Sequence, residues 1–229
     1  MLFEQGEIGL PLSRADPRAL HIVEVLKRKE GESFDAGIVN GPLGKGTVAA
    51  IRPDVLAFGF CRACDPPPLD PVHVIIALPR PQTARKILKE ATSLGVASIR
   101  FFLAEKGEPA YGASALWRTR EWRRHLVDGA SQAFDTRLPD VLHHPSLGAA
   151  IAALPGGCAR IALDNYEASH RMAPAPVPLA LAFGPERGWS QAERAILRGI
   201  GFELAHLGPR VLRTETAVVA AVSIAKAGA

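Results

Sequence analysis

Residues 179–190 read Leu-Ala-Leu-Ala-Phe-Gly-Pro-Glu-Arg-Gly-Trp-Ser, and this stretch decides the fold class. Its first five residues are all apolar, which is typical of a strand buried on both faces of a parallel sheet. Ser190, followed by Glu193 three residues later, is the signature of a capped helix start. A strand, a short loop and a helix in this order predict an α/β domain.

The same alternation continues on both sides of this stretch. Strands are predicted at residues 72–78, 99–103, 159–163, 179–183 and 202–207. Helices are predicted at residues 82–94, 115–133, 147–154, 190–198 and 214–227. This order favours an α/β fold with a largely parallel sheet.

A proline-rich segment, Asp-Pro-Pro-Pro-Leu-Asp-Pro at residues 65–71, separates the strand–helix alternation from a different pattern that precedes it. Clustered prolines remove backbone donors and stiffen the chain, so we interpret the segment as a linker. Before it, residues 33–39 and 46–51 alternate like short strands, and residues 16–29 have helical spacing. We therefore predict a small β-domain at residues 1–69 and an α/β domain at residues 70–229.

The composition is that of a globular protein, with 48% hydrophobic and 22% charged residues, and it excludes a disordered or fibrous chain. No apolar run is long enough to cross a bilayer, and residues 1–7 are acidic where a signal peptide is basic. We expect a cytoplasmic protein that does not bind membranes. The formal net charge of +4 permits an anionic partner without requiring one.

The cysteines and paired histidines do not form a metal-binding pattern. Cys61 and Cys64 make a single CxxC, and Cys158 is distant, whereas a structural zinc site needs four ligands. Reduced, partly buried thiols are the favoured interpretation. His143 and His144 are adjacent, so their side chains diverge on a strand, and we assign them to a loop or a sheet edge. We expect no metal.

Ligands bind open α/β sheets at the carboxyl ends of the strands, which makes the loop at residues 183–189 a candidate site. Its glycines allow a ligand to approach the backbone closely, and Glu186 and Arg187 can reach polar groups. A tight, charged turn between strand and helix explains the same residues equally well.

A second loop, at residues 207–216, brings Arg210, Arg213 and Glu215 to the start of an apolar helix. Charges in such a position are costly to desolvate unless they are paired or used. The alternative is a structural pair between Arg213 and Glu215 with a threonine helix cap.

Residues 117–125 read Trp-Arg-Thr-Arg-Glu-Trp-Arg-Arg-His, which suits contact with RNA phosphates and bases. The candidate RNA-binding residues are Arg118, Arg120, Arg123 and Arg124. A solvated helix face explains the run almost as well.

The two C-terminal loops together resemble one family. Residues 181–190 and residues 201–217, Gly-Phe-Glu-Leu-Ala-His-Leu-Gly-Pro-Arg-Val-Leu-Arg-Thr-Glu-Thr-Ala, are similar to the C-terminal end of the 16S ribosomal RNA (uracil-N3)-methyltransferases of the SPOUT superfamily. Residues 91–99 resemble the family's "ATELGV" segment, residues 131–141 its "EQ…RLPEV" segment, and residues 21–26 its first helix. The resemblance covers nearly the whole chain.

This resemblance implies a SPOUT α/β domain with a deep C-terminal trefoil knot that forms an S-adenosylmethionine pocket, preceded by a PUA-like β-barrel that helps to bind RNA. It implies a homodimer that methylates N3 of a uridine in 16S rRNA of the small ribosomal subunit. Transfer of a methyl group from a sulfonium needs an in-line approach and a nucleophile that can lose its proton, and no metal.

The resemblance also assigns residues. The predicted cofactor-binding residues are Leu163, Phe183, Gly184, Pro185, Glu186, Gly188, Leu207, Gly208, Val211, Leu212 and Thr216. Arg210 and Arg213 are predicted to stabilise the negative charge that grows on a uracil oxygen. Glu215 is predicted to orient an arginine, while either Glu215 or Glu186 could be the base that takes the N3 proton.

Three segments depart from the family pattern. Arg187 replaces a glycine of Gly-Pro-Glu-Gly-Gly, residues 81–85 replace Gly-Asp-Lys/Arg-x-Glu, and Ser-Gln-Ala-Phe-Asp at residues 131–135 replaces "EQSGR". Two alternatives therefore stay open: an RNA-binding protein whose silent pocket is blocked by Arg187, and a methyltransferase with another RNA target.

Overall fold

Two sheets organise the chain in the computed structural model, which describes residues 1–227. The first sheet belongs to a unit made of residues 1–68 and 130–138, and the second to a unit made of residues 69–129 and the chain from Pro139 onward. Residues 130–138 thus belong to the first unit, although they lie well beyond the boundary predicted at residues 69–70. The last two residues of the predicted α/β domain, 228 and 229, lie outside the described residues.

The first unit contains a mixed five-stranded sheet in the order β1-β3-β4-β5-β2. Its strands are Leu2–Phe3 (β1), Leu12–Ser13 (β2), Ser33–Ile38 (β3), Leu43–Ile51 (β4) and Val55–Cys64 (β5). β1 pairs with β3 in parallel and the remaining pairs are antiparallel. The core of the unit is built from Phe3, Leu12, Ala19, Ile22, Phe34, Ala36, Val48, Leu56 and Phe58.

A short α-helix accompanies this sheet. Pro17–Leu20 (α1) begins after Asp16, whose carboxylate accepts a hydrogen bond from the Arg18 N–H at 2.8 Å, and it continues as a π-helical turn, His21–Val25. The helix predicted at residues 16–29 is therefore too long at its C-terminal end. A turn follows it, in which Lys27 takes a φ of 52°.

Hydrogen bonds explain why residues 130–138 belong to the first unit. The Thr136 hydroxyl donates to the Gly41 carbonyl at 2.6 Å, and the Leu138 N–H donates to the Asn40 side-chain oxygen at 2.8 Å. Arg137 Nε donates to the Pro67 carbonyl at 2.7 Å. These bonds span about seventy to a hundred residues of sequence, so no local pattern could reveal them.

The second unit contains a seven-stranded sheet in which every pairing is parallel. Its strands are Asp70–Ala77 (β6), Val96–Phe102 (β7), Asp140–His144 (β8), Ala159–Leu163 (β9), His170–Arg171 (β10), Leu179–Phe183 (β11) and Glu203–His206 (β12). The strand order is β10-β12-β9-β11-β6-β7-β8. The predicted α/β class with a parallel sheet is confirmed, and β8 and β10 are strands that the sequence analysis missed.

The helices that follow the first sheet are Pro81–Ser93 (α2), Ala115–Arg118 (α3), Trp122–Gln132 (α4), Leu147–Ala152 (α5), Gln191–Gly199 (α6) and Thr214–Lys226 (α7). The single helix predicted at residues 115–133 is wrong, because the chain turns between α3 and α4. Arg120 adopts a left-handed φ of 59° there, which ends α3. Among the helices of residues 1–227, none combines the length and apolar character that a membrane span requires.

The core of the second unit lies between the sheet and α5 and α6. Ile75 and Ala77 of β6, Ala180 and Ala182 of β11, and Leu197 of α6 are buried together. Helices α2 and α7 contact each other, and they pack on β7 and β11 respectively. The small side chains of β11 allow close packing in the middle of the sheet.

Candidate functional site

The carboxyl ends of three strands meet at one edge of the second sheet. β9 pairs with both β11 and β12, so Leu163 lies beside Phe183 on one side and Ala205 on the other. The loops that leave these strands therefore converge, which is the place where α/β sheets bind ligands.

A cleft lies between these loops, and we call it the first cleft. It is lined by Leu163, Asp164, Asn165, Tyr166, Phe183, Gly184, Pro185, Glu186, Gly188, Trp189, Leu207, Val211, Leu212, Thr214 and Ala217. Nine of the eleven predicted cofactor-binding residues are in this lining. Gly208 and Thr216 are not, and the sequence analysis missed the contributions of Asp164, Tyr166 and Trp189.

Trp189 holds two walls of the first cleft together. Its indole is 1% exposed and donates a hydrogen bond to the Leu163 carbonyl at 2.9 Å. Its own carbonyl accepts hydrogen bonds from Lys106 Nζ at 2.9 Å and from Arg194 Nη1 at 3.1 Å. A Cβ on Gly184 would lie 3.0 Å from the indole, so this position needs a residue without a side chain.

A buried ion pair fixes the loop after β9. Arg194 donates to the Asp164 carboxylate from Nε at 2.6 Å and from Nη2 at 3.2 Å, and the Tyr166 N–H donates to the same carboxylate at 2.9 Å. Burial, the largest influence, raises the pKa of Asp164, but the hydrogen bonds and charge of Arg194, together with the backbone N–H groups of Tyr166 and Glu167, hold the pKa below its ordinary value. The Arg194 guanidinium also lies 5.9 Å from the centre of the Tyr166 ring.

The loop after β11 has the glycine conformation that the sequence pattern suggested. Gly188 has a φ of 71°, and a Cβ there would lie 3.0 Å from the Tyr166 ring. The predicted capping box of α6 is confirmed, because Ser190 Oγ accepts the Glu193 N–H at 3.0 Å and Glu193 accepts the Ser190 N–H at 2.9 Å. The capping box therefore fixes the end of the loop that enters α6.

A second cleft adjoins the first. It is lined by Ala77, Leu78, Pro79, Arg80, Lys106, Gly107, Glu108, Tyr111, Pro185, Glu186, Arg187 and Thr214. Pro185, Glu186 and Thr214 line both clefts. The Glu186 carboxylate accepts hydrogen bonds from Arg80 Nε at 3.2 Å and from Arg80 Nη2 at 3.1 Å, so it is oriented at the boundary between the clefts.

Arg187 lines the second cleft and not the first. The alternative in which this residue blocks the first cleft is therefore not favoured. Its side chain extends the basic character of the second cleft instead.

The predicted catalytic residues lie beside the clefts rather than in their walls. Arg210 and Arg213 are exposed, and neither they nor Glu215 line the first or second cleft. Arg213 is the N-cap residue of α7, immediately between Leu212 and Thr214, which both line the first cleft. Their catalytic roles remain a prediction.

Glu215 is 14% exposed and pairs with Lys86 Nζ at 3.1 Å. The alternative of a structural Arg213–Glu215 pair with a threonine cap is wrong in both parts, since Lys86 is the partner and Arg213 occupies the cap position. Burial raises the pKa of Glu215, but its backbone N–H, Lys86 and Arg213 together hold the pKa below its ordinary value.

The predicted RNA-binding arginines do not share one helix: Arg118 ends α3, Arg120 lies in the turn, and Arg123 and Arg124 lie on α4. Arg118, Arg120 and Arg124 are exposed, whereas Arg123 is half-buried and has its own interaction partner. The turn between α3 and α4 removes the continuous helical face that the spacing indicated. Their RNA contact remains a prediction.

Glu121, in that turn, accepts hydrogen bonds from Arg85 at 2.7 and 3.1 Å. His125 contacts the same carboxylate at 3.3 Å, and Arg85 with His125 lowers the pKa of Glu121 to about 2. Arg85, which lies in one of the segments that depart from the family pattern, thereby ties α2 to the start of α4.

The remaining motif residues lie apart from both clefts. Cys61 and Cys64 are exposed, contrary to the partly buried thiols expected, and Cys158 is half-buried. His143 and His144 lie on β8, the edge strand of the sheet, as interpreted from their adjacency. Within residues 1–227, no three His, Cys, Asp or Glu side chains are grouped as a metal site requires.

Comparisons with known proteins agree on one family. Residues 65–226 match the model of the RNA methyltransferase domain. The ribosomal RNA small subunit methyltransferase E of Treponema pallidum is 33% identical over the whole chain and 91% of its own length. A protein named ribosomal RNA small subunit methyltransferase E 1, from Borreliella burgdorferi, is 28% identical over 96% of this chain and 94% of its own.

Solved structures share the fold. The ribosomal RNA small subunit methyltransferase E of Neisseria gonorrhoeae, bound to S-adenosylmethionine, superposes with a TM-score of 0.74 at 20% identity, over 97% of this chain and 94% of that one. A methyltransferase from Legionella pneumophila, also solved with this cofactor, has a TM-score of 0.75 at 20% identity, over 99% and 94% of the two chains.

Proposed function

Because the chain belongs to the RNA methyltransferase family, among the ribosomal RNA small subunit methyltransferase E proteins, we propose that it methylates N3 of a uridine in 16S rRNA with S-adenosylmethionine as the methyl donor. The observation that carries this proposal is the first cleft. It lies at the carboxyl ends of β9, β11 and β12, and nine of the residues predicted for the cofactor line it.

The chemistry of the first cleft fits S-adenosylmethionine. Apolar side chains such as Leu163, Phe183 and Leu212 suit the adenine ring, and the Asn165 amide, the Thr214 hydroxyl and the Glu186 carboxylate offer polar contacts. Gly184 and Gly188 keep backbone where a side chain would collide with Trp189 or Tyr166. The cofactor supplies the methyl group when it is bound here.

Glu186 is the group best positioned to take the N3 proton. Its carboxylate lines both clefts and is oriented by two hydrogen bonds from Arg80. A base at this boundary would accept the proton of a uracil in the second cleft, and solvent would then remove it, because the side chain is 49% exposed. Arg213 and Arg210 would stabilise the negative charge on a uracil oxygen, while Glu215 would act through Lys86.

We propose the remaining properties on the basis of the family. The last strands and α7 form a deep trefoil knot, the mixed sheet of the first unit is a PUA-like RNA-binding barrel, and the protein is a cytoplasmic homodimer. Arg118, Arg120, Arg123 and Arg124 guide rRNA of the small ribosomal subunit. Three of these arginines are exposed, which supports contact with RNA phosphates.

Nucleoside mass spectrometry tests the function. Small ribosomal subunits that lack the modification are incubated with the protein and S-adenosylmethionine, and we expect 3-methyluridine to appear. A different methylated nucleoside would keep the enzyme class and change the target. If calorimetry detects no binding of S-adenosylmethionine and no methyl group is incorporated, the proposal is wrong.

A further inference from the structure

The second cleft contains a basic side chain that makes no structural hydrogen bond or ion pair within the described residues. Three basic residues line it: Arg80, Lys106 and Arg187. Arg80 is engaged with Glu186, and Lys106 donates to the carbonyl of Trp189. Arg187, within the part of the chain that the structure describes, has no hydrogen-bond or ion-pair partner, so its guanidinium is available to an anion from outside.

Other residues of the second cleft are suited to a flat ring. Leu78 and Pro79, which follow β6, and Tyr111, in the 3-10 helix at Pro109–Ala113, contribute an apolar and aromatic lining. Single-stranded nucleotides bind proteins by stacking a base on such a side chain while a cation holds the backbone.

The two clefts share a wall, which restricts the kind of ligand that the second cleft can bind. Pro185, Glu186 and Thr214 belong to both linings, so a ligand in the second cleft borders a ligand in the first. A methyl acceptor must lie next to its donor, and the second cleft is the neighbouring space with basic and aromatic side chains.

We infer that the second cleft receives the target nucleotide of the RNA, with the uracil packed against Tyr111, its N3 edge toward Glu186, and a backbone phosphate of the same strand bound by Arg187. This inference rests on the proposed function. Arg187 is then a substrate-binding residue whose guanidinium gives a phosphate two parallel hydrogen bonds. Lys106 would keep its contact with Trp189 and add positive charge at the cleft without a direct bond to RNA.

Two variants test the assignment: Arg187→Gln removes the charge, and Tyr111→Leu removes the aromatic ring. The matched control is Arg198→Gln, because Arg198 is exposed like Arg187 but lies near the end of α6, where it pairs with Glu167. Binding of unmodified small subunits is measured at several salt concentrations, together with KM, kcat and the Kd for S-adenosylmethionine.

We expect Arg187→Gln to raise KM for the subunits about tenfold and to lower the slope of log affinity against log salt by about 1, as loss of one phosphate contact predicts. Tyr111→Leu should weaken RNA binding roughly tenfold without changing the salt slope. Both variants should bind S-adenosylmethionine with the affinity of the wild-type protein, since neither residue lines the first cleft.

The inference is overturned if Arg187→Gln and Tyr111→Leu have the same KM and RNA affinity as Arg198→Gln while the wild-type protein methylates its substrate. If the proposed function is wrong, the result is different: the wild-type protein neither binds S-adenosylmethionine nor incorporates methyl groups. The salt slope is measured without catalysis, so it tests Arg187 in either case.

Discussion

The Asp164 carboxylate is 1% exposed and accepts two hydrogen bonds from Arg194, at 2.6 and 3.2 Å. Arg194 also donates to the carbonyl of Trp189, whose indole donates to the carbonyl of Leu163. One guanidinium on α6 therefore connects the loop after β9 with the loop after β11. Because these loops form two walls of the first cleft, its shape depends on this ion pair, and Asp164 is itself part of the lining.

Replacing Asp164 by Asn should destabilise the second unit by about 3 kcal/mol, because it leaves the Arg194 charge buried without its partner. Affinity for S-adenosylmethionine should fall as well, since both walls lose their connection. Unfolding in urea can be followed by tryptophan fluorescence, because all three tryptophans are in this unit. In the control Glu167→Gln, which removes a half-exposed carboxylate from the same arginine, the loss should stay below about 1 kcal/mol. Equal stabilities of the two variants would contradict this account.

Gly188→Ala should weaken binding of S-adenosylmethionine about tenfold. Alanine is strained by about 1 kcal/mol at a φ of 71°, and its Cβ would press on the Tyr166 ring at 3.0 Å. Gly199→Ala is the matched control, because Gly199 ends α6 with nothing within 4 Å of its Cβ position. That variant should keep its affinity and gain up to about 1 kcal/mol of stability. Calorimetry and thermal unfolding of both variants check the prediction, which fails if Gly188→Ala retains full affinity.

Arg213→Ala should lower kcat by at least about 100-fold, which is the usual scale for losing a group that stabilises transition-state charge. The free energy of unfolding should change by less than about 0.5 kcal/mol, because the side chain is exposed. Single-turnover rates and urea unfolding separate these effects. Arg213→Lys keeps the charge and should recover part of the rate; an unchanged rate in Arg213→Ala would remove this residue from the reaction.

The sequence predicted the centre of the second sheet well, and the reason is physical. The strand at residues 179–183 is an entirely apolar, buried run, the strand at residues 159–163 is apolar except for Arg160, and both lie in the interior of the parallel sheet with the bounds that were predicted. β8, by contrast, reads Asp-Val-Leu-His-His and lies at the edge, where only one side of the strand is paired. A polar edge strand has too weak a pattern to be distinguished from a loop.

The sequence predicted the loops that form the site, but not the ion pairs that join residues distant in sequence. Glycines and charged residues that follow apolar strands predict the loops at residues 183–189 and 207–216. The Asp164–Arg194 pair joins residues thirty positions apart, and the Lys86–Glu215 pair joins residues 129 positions apart. The position of Asp164 directly after an apolar strand was a usable signal for the first pair. The second depends on the packing of α2 against α7, which local spacing does not reveal.

His73 gives the second unit a stability that depends on pH. It is 8% exposed, and its Nδ1 lies 2.8 Å from Ser98 Oγ. Burial and, after it, the charge of Arg100 hold the pKa of His73 below its ordinary value. The unfolded chain binds a proton near pH 6.5 that the folded chain does not bind, so the free energy of unfolding falls as the pH drops below that value.

Between pH 7.5 and pH 5.5 we expect His73 to contribute a loss of about 1 kcal/mol in the free energy of unfolding. Burial also lowers the pKa of His143 and His144 on β8, so the total loss should be larger. Urea unfolding at the two pH values measures it, and His73→Asn, which cannot be protonated in this range, should reduce the loss by about 1 kcal/mol. If His73→Asn loses as much stability between the two pH values as the wild-type protein does, His73 contributes nothing to the pH dependence, and the burial of a neutral imidazole beside Ser98 is the wrong description.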